Sequence, residues 1–180
     1  MAIDGIDHLG RIESDAWRSF LPSRYDLQVC SFFATGVYDE RRHDARWLDS
    51  LLEISRMIPD TSIVKATFRQ LGYLAPHRDL PGFNYLWVHS GTGFIFEGEV
   101  VATEAGDVLR FARDREHGIV DTGTPFYRTN IVAQDTQSEI EFWNSAFPTT
   151  CWLRDGRVYD WDGEREIPWH AGSTHSAVAE

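Results

Sequence analysis

The chain has 180 residues, of which 42% are apolar and 25% charged, the size and composition of one globular domain with its own core. Seventeen basic and 28 acidic residues give a formal net charge of −11 without a basic stripe, so no nucleic-acid partner is expected. There is neither an apolar run near the ~20 residues of a membrane span nor a signal-peptide pattern, and with only two cysteines we expect a cytoplasmic protein without a membrane partner.

The N-terminal part of the chain predicts one strand followed by one helix. Residues 27–35 (LQVCSFFAT) are rich in aromatic and β-branched side chains, as strands are. Asp39 is placed to cap a helix over about residues 40–57, which ends before Pro59. Apolar side chains recur at helical spacing, at Trp47, Leu48, Leu51, Leu52 and Ile58. We interpret them as a face that packs against a sheet rather than as a binding stripe.

Six strand-like segments follow without an intervening helical pattern. They are separated by short breaks with Gly, Pro, Asp or Asn: residues 62–71, 83–89, 93–101, 106–112, 117–121 and 126–134. Short breaks are typical of antiparallel connections, whereas parallel strands need long crossovers. The pattern predicts a mainly β (α+β) fold, in which one or more N-terminal helices pack against one of two sheets. We expect the last two segments to pair in a hairpin-like arrangement.

We expect a single domain over residues 1–180, with a core over about 27–135 and a C-terminal extension over about 136–180. The extension is rich in Trp, Gly and acidic residues, and only residues 138–147 show a partly helical pattern. Three roles stay open for its tryptophans, which are capping the sheet, lining a substrate pocket or forming a homodimer contact. These residues are Trp143, Trp152, Trp161 and Trp169.

Residues 77–84 read HRDLPGFN, which fits the catalytic-loop pattern H-R-D-L-x-x-x-N of protein kinases. A kinase also needs a glycine-rich loop and a strand lysine upstream, and a D-F-G motif downstream. Here the glycine cluster at residues 91–94 follows the HRD, Lys65 precedes it by only 12 residues, and D-F-G is absent. The match to the kinase pattern is therefore accidental.

The same stretch contains an H-x-D triplet, His77 and Asp79. Their side chains share one face if the segment is extended, which Pro76 favours. A metal site needs a third ligand, and among seven histidines His117 is the best placed, at the start of a predicted strand. Two histidines and a carboxylate form the facial triad of non-haem Fe(II) oxygenases, which leaves positions open for a cosubstrate and O2. For a lone H-x-D triplet, a solvated turn is the ordinary alternative.

Arg128 lies 11 residues after His117, on the predicted strand 126–134. A buried guanidinium there offers a bidentate fork to a carboxylate, which an acidic cosubstrate bound to the metal would need at its far end. An ordinary salt bridge on a strand is the alternative interpretation.

The ordered set of H-x-D, G-D-x-L-x-F, His and Arg resembles the Fe(II)/2-oxoglutarate-dependent oxygenases. The segments APHRD, GDVLRF and HGIVDTGTPFYRTNIVAQD are most similar to the aspartyl/asparaginyl hydroxylase branch, which includes small bacterial proline hydroxylases. The resemblance covers roughly residues 62–135, about 40% of the chain. The chain departs from the branch in one respect, because FNYLWVHS lacks the Arg-x-His pair that the branch often carries on this strand.

This resemblance implies a double-stranded β-helix, the jelly-roll or cupin-like fold, in which His77, Asp79 and His117 bind Fe(II). Arg128 would bind the distal carboxylate of 2-oxoglutarate, and O2 would be used to hydroxylate an unactivated C–H bond. Because Asp79 is present where related halogenases carry a small residue, hydroxylation is favoured over halogenation. The compact chain implies a small-molecule substrate, such as an amino acid or an amino-acid derivative.

Five further residues are candidates for the substrate and cosubstrate pocket: Arg69, Arg78, Trp87, His89 and Asn130. Arg69 and Arg78, together with Arg113, are cationic and are candidate anchors for a substrate carboxylate. For His89, a hydrogen-bonded core histidine is an equal alternative.

Two other functions remain compatible with the sequence. One is a metal-binding cupin-like sensor or binding module without oxygenase activity, which would bind metal without turning over 2-oxoglutarate. The other is a plain binding module in which the HRD segment is structural and no ferrous site exists.

Overall fold

The structure is a computed structural model that describes residues 4–21, 29–30, 45–58, 61–134, 152–161 and 166–168. These residues form thirteen β-strands, one α-helix and a short 3₁₀ helix. In chain order they are β1 (Ile6–Arg11), the 3₁₀ helix (Ala16–Phe20), β2 (Val29–Cys30), α1 (Ala45–Met57), β3 (Ser62–Leu71), β4 (Leu74–His77), β5 (Phe83–Ser90), β6 (Phe94–Phe96), β7 (Glu99–Val100), β8 (Asp107–Ala112), β9 (His117–Ile119), β10 (Phe126–Gln134), β11 (Trp152–Arg154), β12 (Arg157–Trp161) and β13 (Glu166–Pro168). In this part of the chain, no helix has the length and apolar character needed to cross a membrane.

The strands form two antiparallel sheets. The larger sheet has the order β1-β8-β5-β10-β3-β11-β12-β13, with β2 paired to β3 as well. The smaller sheet has the order β4-β9-β6-β7. From β3 to β10 successive strands alternate between the two sheets, except that β6 and β7 both lie in the smaller one. This arrangement confirms the predicted mainly β class with a single described α-helix.

Two hydrophobic cores cover the two faces of the larger sheet. On the outer face, α1 and the 3₁₀ helix pack against the sheet, and the fully buried Trp47, Leu51 and Ile54 of α1 join Phe68 and Trp87 in one cluster. On the inner face, a second cluster fills the space toward the smaller sheet: Leu86, Val88, Phe94, Phe96, Val101, Leu109, Phe111, Ile119 and Phe126. Alternate residues of β5 point to opposite faces, so one strand serves both cores.

The predicted strands 62–71 and 126–134 coincide with β3 and β10, and 83–89 and 106–112 lie within one residue of β5 and β8. The predicted strand 93–101 is divided into β6 and β7, because a turn at Glu97 interrupts it. Strands β1 and β11–β13 were not predicted, and they extend the two edges of the larger sheet. Of the predicted strand 27–35 only Val29–Cys30 is described, and the predicted helix 138–147 lies outside the described residues.

The expected hairpin-like pairing of residues 117–121 with 126–134 is wrong. Strand β9 pairs with β4 and β6 in the smaller sheet, whereas β10 pairs with β3 and β5 in the larger one. The connection over residues 120–125 passes from one sheet to the other. Sequence proximity favoured the hairpin, but each strand buries more apolar surface between the two sheets than a two-stranded ribbon would.

Candidate metal centre

His77 and His117 face each other across the pairing of β4 with β9, where they are register partners. The Nδ1 atom of each ring bonds to a backbone carbonyl two residues earlier, Ala75 for His77 and Arg115 for His117, at 2.9 Å in both cases. These bonds fix the tautomer with hydrogen on Nδ1 and leave the Nε2 lone pairs available. The two ring centroids are 4.5 Å apart, close enough for both Nε2 atoms to contact one small ion.

Gly118 allows the two strands to approach closely beside the histidines. A Cβ atom at this position would lie 2.7 Å from the carbonyl oxygen of Leu74 and 3.1 Å from the Cα of Pro76. Backbone atoms cannot move aside cheaply, so any larger residue would push β9 away from β4. The glycine next to His117 is therefore a requirement of the site's geometry.

Asp79 completes a three-residue cluster from the loop that follows β4. Its carboxylate oxygens lie 3.5 Å from Nε2 of His117 and 4.0 Å from Nε2 of His77, and the three ligand atoms lie within 4.8 Å of one another. Atoms bound at about 2.1 Å to one ion stand roughly 3.0–3.5 Å apart, so a small side-chain adjustment brings all three onto one metal. The donor set fits the two-histidine, one-carboxylate facial triad.

The environment of His117 keeps its imidazole neutral and ready to bind a metal. Burial is the main cause that lowers the pKa of His117, and its electrostatic interactions with His77 and Arg128 act in the same direction. The hydrogen bond to the carbonyl of Arg115 and the charge of Asp79 oppose them, but the pKa stays below its ordinary value. A neutral imidazole is the form that binds metals, so little proton release is needed at neutral pH.

The cluster lies in the wall of a cavity of about 410 Å³ between the two sheets. The cavity is also lined by cationic and amide side chains, among them Arg69, Arg128 and Asn130. Asp79 is its only acidic residue within the described part of the chain. In a protein with a formal net charge of −11, the lining of this cavity is therefore locally cationic.

Arg128 is a buried cation in the lining of this cavity. It lies on β10 directly opposite Arg69 of β3, and only 4% of its surface is exposed. Burial, reinforced by the charge of Arg69, lowers the pKa of Arg128 to about 9. Among the described residues, neither Nε of Arg128 nor the buried Oδ1 of Asn130 has a hydrogen-bond partner. Such groups are costly to bury alone, and a carboxylate ligand would satisfy the guanidinium.

Three other predicted pocket residues lie elsewhere. Arg78 is exposed and does not line the cavity. Trp87 and His89 lie on the outer face of the larger sheet, where Trp87 Nε1 donates to the carbonyl of Ile12 at 2.9 Å. The alternation along β5 placed these two residues on the same face, but it did not say which face meets the cavity.

Asn84 also lines the cavity, although it was not among the five pocket candidates named from the sequence. Its Nδ2 donates to Oδ2 of Asp79 at 3.5 Å, a long contact with the metal-ligand candidate. The signal was available in the alternation of β5, because Asn84 shares strand parity with the inward-facing Leu86 and Val88.

His89 is a core histidine with an acid-sensitive environment. Its Nε2 lies 2.7 Å from the hydroxyl of Thr129, its ring stacks on Trp17, and burial lowers its pKa from 6.5 to about 3. Because the pKa of His89 is lower in the folded state, the unfolded chain binds a proton at His89 between pH 6.5 and about 3, whereas the folded chain does not. The contribution of His89 to the free energy of unfolding is therefore fully present above pH 6.5 and is lost as the pH falls below it.

Between pH 7 and pH 5, we expect the free energy of unfolding of the wild-type protein to fall by about 2 kcal/mol more than that of a His89→Gln variant. The reason is that each pH unit below 6.5 lowers the stability from this histidine by about 1.4 kcal/mol. Urea unfolding at both pH values measures this difference. The Thr122→Ala variant is the control, because Thr122 is exposed and carries no titratable group, so this variant should keep the wild-type pH dependence. Parallel pH profiles for wild type and His89→Gln would contradict the prediction.

Comparisons of the chain with protein-family models, with curated proteins and with solved structures found no match. A functional argument therefore rests on the geometry of the chain's own residues. Three features contribute to it: the His77–Asp79–His117 cluster, the cationic cavity and the order of the strands.

Proposed function

We propose that the protein is an Fe(II)- and 2-oxoglutarate-dependent dioxygenase that hydroxylates an unactivated C–H bond of a small molecule, an amino acid or an amino-acid derivative. The observation that carries the proposal is that one cavity joins a two-histidine, one-carboxylate cluster to the buried Arg128. The first feature suits a ferrous ion with open positions, and the second suits a carboxylate. An acidic cosubstrate that chelates the metal needs both in the same cavity.

The strand order supports a double-stranded β-helix as the fold of this enzyme. Strands β3, β5, β8 and β10 lie in the larger sheet, and β4, β6, β7 and β9 in the smaller one. Such alternation between two facing sheets is what winding a jelly roll produces. His77 and His117 come from the smaller sheet and Arg128 from the larger, so the proposed winding brings them around a common interior.

In this proposal His77, Asp79 and His117 would hold Fe(II), which supplies the activation of O2. Arg128 would hold the far carboxylate of 2-oxoglutarate, with Asn130 next to it on the same face of β10. Among the described residues that line the cavity, Asp79 is the only acidic one, so the lining would not repel the two carboxylates of the cosubstrate. Leu86, Phe94 and Phe111 form an apolar part of the cavity wall, which would pack against the aliphatic part of a bound ligand.

The net reaction would convert 2-oxoglutarate, O2 and a C–H group into succinate, CO2 and a C–OH group. We expect the wild-type protein, given Fe(II), ascorbate, 2-oxoglutarate and a pool of amino acids, to form succinate in an Fe(II)-dependent manner. Mass spectrometry of the pool should show a product heavier by one oxygen atom. Zn(II) in place of Fe(II) is the control, because it is not redox-active and should give no succinate.

The outcomes of this assay separate the competing functions. Binding of metal without succinate from any substrate pool would favour a metal-binding sensor or binding module. Absence of metal binding would contradict the metal centre itself and leave a plain binding module. Only Fe(II)-dependent succinate formation with a hydroxylated product agrees with the dioxygenase.

A further inference from the structure

The loop that carries Asp79 is tied to the turn after β8 through a single residue, Arg113. The backbone N–H of Asp79 donates to the carbonyl of Arg113 at 2.8 Å, and the backbone N–H of Arg113 donates to the carbonyl of Gly82 at 2.9 Å. The guanidinium adds Nε contacts to the carbonyls of Leu80 at 2.7 Å and Pro81 at 3.2 Å, and an Nη2 contact to Pro81 at 3.0 Å. Arg113 thus forms hydrogen bonds to the backbone of each residue from 79 to 82 in this loop.

Gly82 makes room for this guanidinium. Its φ is +136°, a conformation that L side chains rarely adopt. A Cβ atom there would lie 3.0 Å from Nε, 3.1 Å from Nη2 and 3.2 Å from Cζ of Arg113. The fit between the bare Cα and the planar guanidinium is a second, independent sign that the loop is shaped around Arg113.

Of the three metal-ligand candidates, Asp79 depends most on such support. His77 and His117 lie in paired strands, whereas Asp79 lies in the loop between β4 and β5 with a side chain that is 45% exposed. The three side-chain hydrogen bonds of Arg113 go to backbone carbonyls of this loop, so Nε and Nη2 of this cavity-lining arginine support the loop backbone.

We propose that Arg113, whose guanidinium packs against Gly82, is a positioning residue that holds Asp79 in place for metal binding. The inference rests on the proposed metal centre and adds to it the group that holds its least anchored ligand. The same turn also supplies the carbonyl of Arg115 that orients His117, so one turn places two of the three ligands. A lysine at position 113 cannot replace the fork, because its ammonium offers no planar pair of donors.

The test is the affinity of the full chain for Mn(II), measured by electron paramagnetic resonance titration without 2-oxoglutarate. We expect Arg113→Ala to bind Mn(II) about 10–100-fold more weakly than wild type, the usual effect of removing an outer support of a metal ligand. Arg113→Lys should recover only part of this loss. The matched control is Arg110→Ala, which removes an exposed guanidinium on β8 that pairs with Asp7, and it should leave the affinity unchanged.

A second readout reports on the carboxylate itself. The visible absorption spectrum of the Co(II)-loaded protein depends on ligand number and geometry, and we expect it to change in Arg113→Ala but not in Arg110→Ala. Far-ultraviolet circular dichroism should show that both variants keep the wild-type fold, because both guanidinium groups are partly exposed. A role in folding alone would not change the Co(II) spectrum of a folded variant.

The Gly82→Ala variant tests the packing of the guanidinium against Gly82 without changing Arg113 itself. We expect it to weaken Mn(II) binding in the wild-type background and to have a smaller effect in Arg113→Ala, where the guanidinium is absent; a double-mutant cycle measures this difference. If wild type binds Mn(II) and both Arg113→Ala and Gly82→Ala bind it equally well, the positioning role is overturned and the metal centre stands. If wild type binds no Mn(II), the metal centre falls and this inference with it.

Discussion

Replacing His77 by alanine is expected to abolish succinate formation and to weaken Mn(II) binding by more than about 100-fold. The variant removes one of three proposed protein ligands, a larger loss than the 10–100-fold effect of removing an outer support. His77 suits the test better than His117, because its side chain is 37% exposed against 7%, so its removal leaves a smaller defect in the fold. Succinate is measured by chromatography and Mn(II) by resonance titration.

The matched control is His8→Ala, which removes an exposed histidine that bonds to Asp107, outside the cavity. Added imidazole provides a further check, because the space left by an exposed ligand is open to a small molecule from solvent. We expect millimolar imidazole to restore part of the Mn(II) affinity of His77→Ala and to have no effect on His8→Ala. Equal succinate formation by His77→Ala and wild type would remove the cluster from the proposed mechanism.

Local patterns predicted the strands and the members of the cluster well. Alternation and short breaks placed β3, β5, β8 and β10 nearly to the residue, because each of these strands buries at least one face. The three members of the candidate metal site could also be predicted, since His77 and Asp79 are only two residues apart and His117 begins a strand. These features depend on neighbouring residues and short spacings, which a single sequence records.

Features that depend on partners distant in sequence could not be predicted in the same way. Strand β9 joins the smaller sheet although β10 follows it closely, and nothing in either segment states which strand it will pair with. The face of β5 that meets the cavity was equally undetermined, so Trp87 and His89 were placed in the pocket while Asn84 was missed. The proposed role of Arg113 depends on its contacts with a loop more than thirty residues earlier, and no periodic signal in the sequence connects the two segments.

The second large effect is expected from replacing Arg128 by methionine, which should stabilise the ligand-free protein while removing its affinity for 2-oxoglutarate. The guanidinium is 4% exposed, and burial lowers its pKa from its ordinary value to about 9. The unfolded chain therefore holds the proton more tightly over this window. The destabilisation is fully present below pH 9 and disappears as the pH rises above 9 toward the ordinary pKa of a guanidinium. At about 1.4 kcal/mol per pKa unit, the cost at pH 7 is on the order of 5 kcal/mol.

Methionine removes that cost but also the contact of the guanidinium with the ring of Phe126, so we expect a net gain of about 1–4 kcal/mol in the free energy of unfolding. Urea unfolding without ligand measures it. The control Arg110→Met removes a partly exposed arginine of the same larger sheet and should give no gain, since surface ion pairs contribute little.

The functional half of the prediction follows from the same buried charge. A carboxylate that pairs with Arg128 relieves its desolvation, so losing the arginine should raise the KM for 2-oxoglutarate at least about 30-fold, the lower limit for breaking a buried charge pair. The affinity for Mn(II) should stay within about threefold of wild type, because Arg128 is not a metal ligand. In the Mn(II)-loaded wild type, 2-oxoglutarate at 100 times its Kd should add about 2.7 kcal/mol of stability, and in Arg128→Met at the same concentration it should add little. A loss of Mn(II) binding in Arg128→Met would show that Arg128 belongs to the metal centre, whereas unchanged 2-oxoglutarate affinity with a higher stability would show that it is a buried charge without a ligand.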